Sequence, residues 1–594
     1  MLITEPTFPK MKILPHQFGA TGALSVLGFA CFMMPKASAL VSSFGGTNIF
    51  NGVYINEVIG ADAFYNQGFG GQRAVIANIE AGTIWGGHET MQGRTIQTLY
   101  DPSITGTQLG QADWHATFVG QALAGRGLYT HQDGIAPLAQ LWSGSIATSW
   151  SGAPLEQYVG SFDITEASLL YPYRAAMVTG VNGTRADVIN SSWGYADPTG
   201  SSAEAVAIDA MLRSSGVIGV FAAGNSGPNG NTVIAPGSGY NGITVGALTN
   251  TESRPIYDTV ADFSSRGWND AYNPQTNVVI SNARAAVDLV APGDNLTMAF
   301  YGGLTGGHIA GTDPTAGSGQ YYVSGMSGTS FAAPIVAGAA ALMVDAGKAF
   351  GNSEMVHPLV VKAALMAGAT PTQGWNNGQY LDGSVIRTSQ ALDLAAGAGA
   401  LNLEKTHSIY IGGSLLLAQS VYATDGMNTL GVSGMSGAAN LAAQGWDLGG
   451  IQGGANLYTL AGVMAAGSQF SAVLTWYAAR GFDVALSSAQ EIALSNLSLE
   501  LWCLDQNQGD RLVGRSESPW GTTEHLRFTL SETGRYQIRV VWEDQNYQMA
   551  TEPNLFTDYG LAWSITPVPE PSVALLLGLS AMYWANRRHR RVIL

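Results

Sequence analysis

The stretch Val323-Ser324-Gly325-Met326-Ser327-Gly328-Thr329-Ser330-Phe331-Ala332-Ala333-Pro334 decides the reading of this chain. It joins a turn of small residues to the start of an apolar helix and puts one hydroxyl, Ser330, at the junction. A serine alone is a weak nucleophile. It becomes useful when a turn exposes it, a helix N-terminus lies beside it and a base can take its proton. Thr329 and Ser330 are natural N-cap residues, and Gly328 permits a tight turn before them. An ordinary capped helix would explain Gly-Thr-Ser before alanines, but the whole run with Pro334 is much rarer.

Working outward, a base and an acid are needed. Of the nine histidines, His115 has suitable surroundings, in Trp114-His115-Ala116-Thr117-Phe118-Val119-Gly120-Gln121-Ala122-Leu123-Ala124-Gly125. Val119, Ala122 and Leu123 form an apolar stripe at helical spacing. Upstream, Arg73-Ala74-Val75-Ile76-Ala77-Asn78-Ile79-Glu80-Ala81-Gly82 reads as a buried strand that ends in a carboxylate before a tight turn. Asp113, two residues before His115, is an alternative acid. Phe221-Ala222-Ala223-Gly224-Asn225-Ser226-Gly227-Pro228 follows the apolar run from Val217 to Val220 and reads as a strand entering a Gly-rich loop. A turn asparagine would also account for Asn225.

These segments resemble the subtilisin-like serine proteases (subtilases, peptidase family S8). G-T-S-x-A-A-P matches the family's nucleophile segment. H-A-T-F-V-G is similar to its H-G-T-H-V-A-G, with Ala116 and Phe118 replacing Gly and His. I-E-A-G stands where the family has D-S-G, so Glu80 replaces an aspartate. The resemblance implies Ser330 as nucleophile, His115 as base and Glu80 as the orienting acid, since that role needs only a carboxylate. It implies Asn225 as an oxyanion donor, worth roughly 3–4 kcal/mol in the transition state. Asp187-Val188-Ile189-Asn190-Ser191-Ser192-Trp193-Gly194 resembles the family's V-I-N-x-S-x-G. Ser192, Trp193 and Gly194, with Ala222, Ala223 and Gly224, are then expected to bind substrate, pairing with an extended peptide as an added strand. The order acid, His, Asn, Ser differs from that of the α/β-hydrolases. Ile234, before Ala235-Pro236, falls near where relatives set the pocket floor, and a branched side chain there suggests a shallow pocket.

The chain of 594 residues is too long for one ordinary domain. Residues 70–400 alternate strand-like and helical runs, the pattern of a parallel α/β sheet. Surface insertions are expected near 125–180 and 268–320. Beyond about residue 405 short strands alternate with turns, which suggests a β-sandwich similar to the jelly-roll domains appended to bacterial proteases. The segment 410–468 is rich in Gly, Ala and Leu and is not placed. The expected organisation is a signal peptide over 1–39, a catalytic domain over 40–404, the β-rich region over 405–566 and a tail over 567–594. With a net charge of −16, a nucleic-acid partner is not expected. Of two cysteines, Cys31 lies in the signal and Cys503 reads as a core residue. Asp505-Gln506-Asn507-Gln508-Gly509-Asp510 is a calcium loop or a hairpin turn, with no closing acid, so no cofactor or metal is assigned.

The termini point to export. Lys10 and Lys12 precede an apolar stretch from Gly19 to Met34, then Pro35-Lys36-Ala37-Ser38-Ala39, a small-x-small cleavage pattern. A membrane anchor is the rival reading. At the other end, Val568-Pro569-Glu570-Pro571-Ser572 precedes the apolar Val573–Ala585 and then Arg587-Arg588-His589-Arg590-Arg591. Such an apolar run spans about 20 Å as a helix, short of a hydrocarbon core of about 30 Å. The tail resembles the PEP-CTERM sorting signal of Gram-negative bacteria, which implies an exosortase-type processing enzyme, a transient inner-membrane contact and a cell-surface or matrix location. There is little room between the signal and the strand at 74 for a large pro-domain. The expected function is a secreted serine endopeptidase acting on proteins or peptides. The alternative is a catalytically silent surface protein of the same fold, which the substitution at Glu80 favours.

Overall fold

In the computed structural model residues 55–567 are described, apart from 92, 105–108, 127–132, 152–160, 252–253, 300–321, 413–434, 484–487, 506, 508 and 550–555. The expected signal over 1–39 and the tail bearing Pro569, Glu570 and Pro571 lie outside the described residues.

The α/β unit is built on seven parallel strands: β1 (Val75–Glu80), β2 (Gln97–Leu99), β3 (Gln140–Ser145), β4 (Val188–Ser191), β5 (Ile218–Ala222), β6 (Ile243–Thr251) and β7 (Leu289–Pro292). Their order is β7-β6-β5-β4-β1-β3-β2, and the antiparallel strand Arg254–Val260 pairs with β6. Helices cover both faces, so β1, β4 and β5 are buried throughout and read in sequence as apolar runs rather than alternating ones. On one face lie α1 (Trp114–Ala124), α3 (Thr329–Phe350) and α4 (Pro358–Gly368); on the other lies α2 (Ala203–Ser215). The period of two along β1 sends Val75, Ala77 and Ile79 toward the α2 face. Ile76, Asn78 and Glu80 therefore face α1 and α3. α3 is long and apolar enough to cross a membrane, but its apolar length is wholly buried in this core.

The C-terminal region is mostly strands, as the sequence indicates, and forms two sheets facing one core. One sheet has the central strands Ser488–Leu504 and Arg535–Gln548. The other runs Gln444–Ile451, Thr557–Thr566, Gln469–Trp476, Thr523–Thr529. Phe470, Ala472, Leu474 and Trp476 point into the sandwich. Their neighbours Ser471, Val473 and Thr475 point back at the α/β unit. There Thr475 Oγ1 donates to Leu359 C=O (3.2 Å) and Ser471 Oγ to Ala367 C=O (3.4 Å), both on α4. The unplaced segment 410–468 supplies three strands, Met435–Leu441, Gln444–Ile451 and Ala455–Leu460. The hairpin Gln379–Asp382 and Val385–Thr388 precedes residue 405 yet joins the larger sandwich sheet through Ile386 and Arg387. The ranges expected as insertions hold two hairpins, Ser149–Ser151 with Ser161–Asp163 and Asn269–Asn273 with Val278–Arg284, but they also hold the core strands β3 and β7 and the helix Glu166–Arg174, so they are not insertions throughout.

Candidate active site

Glu80 is the last residue of β1, and strand parity aims it at the helix that carries His115. Its Oε2 lies 3.0 Å from His115 Nδ1, and its Oε1 accepts the Ser192 N–H at 2.8 Å. Glu80 is only 1% exposed. The turn after it passes tightly under α1, because a Cβ on Gly82 would sit 2.5 Å from Asp113 Cβ. The extra methylene of Glu is thus absorbed by a carboxylate that spans two donors.

His115 stands in the first turn of α1, and Asp113 is the N-cap. The Asp113 carboxylate accepts the Ala116 N–H at 3.2 Å, so it closes the helix end and is not the residue bonded to the ring. Burial pushes the Asp113 carboxyl up to about 6. For His115, burial alone would lower the ring's pKa. The hydrogen bond and charge of Glu80, with the charge of Asp113, outweigh that and raise it. On its other side the imidazole lies 5.8 Å from the Phe331 ring, centroid to centroid, which places it beside the start of α3.

Ser330 is the second residue of α3, buried, and its hydroxyl donates to Ser192 C=O at 3.0 Å. Ser192 therefore touches both ends of the arrangement, the acid through its N–H and the hydroxyl through its carbonyl. The expected capping by Thr329 is not what occurs. Gly328 is the N-cap, and Thr329 is spent on the neighbouring loop. Its N–H and Oγ1 both donate to Asn225 Oδ1 (2.9 Å each), while its Oγ1 accepts the Gly224 N–H at 3.1 Å. With its oxygen so engaged, the Asn225 amide directs its Nδ2 protons away from Thr329, toward Gly328, where a Cβ would lie 3.5 Å from Nδ2. Gly224 has φ +105°, a conformation that favours glycine, and this turns the chain from β5 toward α3. The turn before Ser330 is tied down by Asp294, which accepts from Ser327 Oγ and, at 2.5 Å, from Thr249 Oγ1. Neither Thr329's role nor Asp294 was visible in sequence, because both depend on loops meeting from distant strands.

Of the expected substrate residues, Trp193 turns its side chain inward. It is 2% exposed and lies near Tyr173 and Tyr195. Ala222 and Ala223 are also buried. Ile234 sits between the two segments. Its N–H donates to Ala223 C=O (3.1 Å), and Ala235 exchanges backbone bonds with Tyr195 (2.9 and 3.0 Å). Ile234 Cδ1 would be 2.6 Å from a Cβ on Gly194 and 3.2 Å from one on Gly224. The isoleucine occupies the space those glycines leave. Among the described residues no group of three His, Cys, Asp or Glu could hold a metal ion.

A serine at a helix start, a carboxylate-held histidine and a pinned asparagine amide thus meet on one face of a parallel α/β sheet. The profile of the Subtilase family, peptidase S8, matches residues 87–400, more than half of the chain, and the protein belongs to that family. Glu80 lies upstream of the matched residues. Pyrolysin of Pyrococcus furiosus is 32% identical over 234 residues, 38% of this chain and 15% of that protein. Subtilisin E of Bacillus subtilis is 26% identical over 299 residues, 50% of this chain and 62% of the relative. The chain thus spans 15 to 62% of the length of these relatives. Among solved structures, the prenylagaramide maturation protease PagA is 21% identical with a TM-score of 0.42, over 59% of this chain and 99% of that one. The patellamide maturation protease PatA is 22% identical with a TM-score of 0.39, over 58% and 98%.

Proposed function

We propose that the protein is an exported serine endopeptidase with a Ser330-His115-Glu80 triad. Ser330 Oγ attacks the scissile carbonyl while His115 takes its proton, and the same proton then goes to the leaving amine. Glu80 holds the ring N–H and stabilises the imidazolium. Asn225 Nδ2 and the Ser330 N–H hold the oxyanion, the second being one of the N–H groups that a helix start leaves without an internal acceptor. The backbone of Ser192–Gly194 pairs with an extended substrate, and the carboxylate–imidazole contact at 3.0 Å carries the reading. A silent protein of the same fold would also have to bond a buried carboxylate, so labelling of Ser330 is what separates the two readings. The Ile234 side chain between Gly194 and Gly224 supports a small residue before the cut.

The export pattern over 1–39 and the Pro569-Glu570-Pro571 tail support delivery to the surface of a Gram-negative cell, with removal of the tail by an exosortase-type enzyme. The experiment that tests activity is labelling with a fluorophosphonate serine probe, together with hydrolysis of a peptide library. Wild type should be labelled and Ser330→Ala should not. Equal labelling of the two would remove Ser330 from the mechanism.

A further inference from the structure

The sandwich does more than sit on α4. It grips the segment that begins at Ile234. Within that segment Ser238 N–H donates to Ile234 C=O at 2.7 Å, which ties the residues before Tyr240 to the backbone of the isoleucine. Asp209 on α2 takes the other end, accepting from Tyr240 N–H (2.7 Å) and Asn241 N–H (3.2 Å). Three contacts then come from the sandwich. Arg480 Nη1 donates to Asp209 Oδ2 at 2.7 Å. The Asn241 side chain exchanges bonds with the Ala478 backbone, at 2.9 and 3.0 Å. Thr522 Oγ1 donates to Tyr240 C=O at 3.1 Å.

Arg480 is 2% exposed and lies 4.9 Å from the centre of the Tyr240 ring. Its remaining donors go to Glu491, at 2.6 and 3.1 Å. Buried ion pairs of this kind are a poor source of stability, since apolar residues of equal volume often serve as well. What the fork of Arg480 supplies is a fixed direction: it aligns a strand of the sandwich with the carboxylate that holds Tyr240 and Asn241.

We propose that the β-sandwich sets the substrate selectivity of the catalytic unit, with Arg480 and Thr522 as positioning residues that hold Ile234 in the floor of the side-chain pocket. This rests on the protease reading and on the pocket lying between Gly194 and Gly224. Release of the grip lets the floor move and admits larger side chains.

The test uses the full chain and two peptides that differ only in Ala or Phe before the cut. For Arg480→Met the ratio of kcat/KM for Ala over Phe should fall roughly tenfold, the scale that one methylene of fit commands in an apolar pocket. The rate of labelling by a small fluorophosphonate, which does not fill the pocket, should stay at the wild-type value. An unchanged ratio, or equal loss on both peptides, overturns the proposal even if heat stability falls. If Arg480→Met does not accumulate folded, Thr522→Val carries the same test, with a shift of roughly threefold expected for one hydrogen bond; an unchanged ratio again overturns it. A wild type that is neither labelled nor able to cut either peptide overturns the protease reading, and this proposal with it.

Discussion

The Glu80 carboxylate bridges two donors, His115 Nδ1 at 3.0 Å and the backbone N–H of Ser192 at 2.8 Å. The second bond matters because the carbonyl of the same Ser192 accepts from Ser330 Oγ. One residue just past the end of β4 therefore links Glu80 to Ser330. An acid placed by two bonds has its rotamer fixed, and it fixes the tautomer of His115 in turn.

If Glu80 is the triad acid, shortening it should lower activity, even though aspartate is the residue the family resemblance leads one to expect. Aspartate cannot span both donors from the end of β1, so Glu80→Asp should lower kcat/KM by roughly tenfold or more. Glu80→Gln should cost on the order of 10⁴, because an amide can donate to the ring and favour the wrong tautomer. Steady-state hydrolysis of a single peptide separates these cases. An Asp variant faster than wild type would show that Glu80 is a handicap to which the site has not adapted.

The pH profile follows from the same contact. In the proposed mechanism neutral His115 is the base, so activity should be lost as pH falls through its pKa. Burial opposes the charged ring, but Glu80 and Asp113 more than offset it and hold the pKa above the ordinary 6.5. The acid limb of kcat/KM should therefore lie above pH 6.5. Glu80→Gln removes the larger favourable contributions and should move that limb to lower pH. A limb that stays in place would mean that another group controls it.

The catalytic fold was legible because its signals are local. Strand β1 ends in Glu80, His115 stands in the first turn of helix α1, and the run Val323–Pro334 marks its own turn. Long apolar helices such as α3 also announce themselves. What sequence missed was set by pairing at a distance. Met435–Leu441 contains Ser-Gly-Ala-Ala-Asn, which has little strand propensity, and it is a strand because Ala455–Leu460 lies beside it. Thr329 looks like a helix cap and instead fastens Asn225, because a loop from β5 arrives at the same point. Nothing within either segment records the partner.

Glu524, in the sandwich, gives a stability test remote from the site. It is buried, and burial pushes its carboxyl up to about 8, despite bonds from Ser516 Oγ and Ser518 N–H. The folded protein thus keeps a proton that the unfolded chain releases near the ordinary 4.5. The associated stability is complete below that value and is lost as pH rises toward and through 8, at about 1.4 kcal/mol per pH unit within the window. Glu524→Gln has no proton to lose, and the Ser516 hydroxyl can turn to accept from the amide. Melting curves from pH 4 to 9 should show the wild type declining relative to the variant across that window. Parallel curves would mean that Glu524 is ionised in the folded state.

Selectivity should respond most directly to Ile234. With the sandwich grip intact, the isoleucine is held on one side by Ala223 C=O and followed on the other by the Ala235–Tyr195 bridge, and its backbone stays in place. Only the side chain can yield space. Ile234→Ala removes three carbons from the gap between Gly194 and Gly224 without giving the backbone the freedom of glycine. Peptides with Phe or Leu before the cut should gain roughly 10- to 100-fold in kcat/KM, while a peptide with Ala there should change little or lose slightly as its pocket loosens. The gain should appear mainly in kcat/KM for the larger residues, with the acid limb of the pH profile unmoved, because His115 and Glu80 are untouched. Equal activity on Ala and Phe peptides in the wild type would show that the pocket does not lie over Ile234. A variant that loses activity on every peptide alike would instead show that the isoleucine supports the Gly224–Asn225 turn, and with it the oxyanion donor.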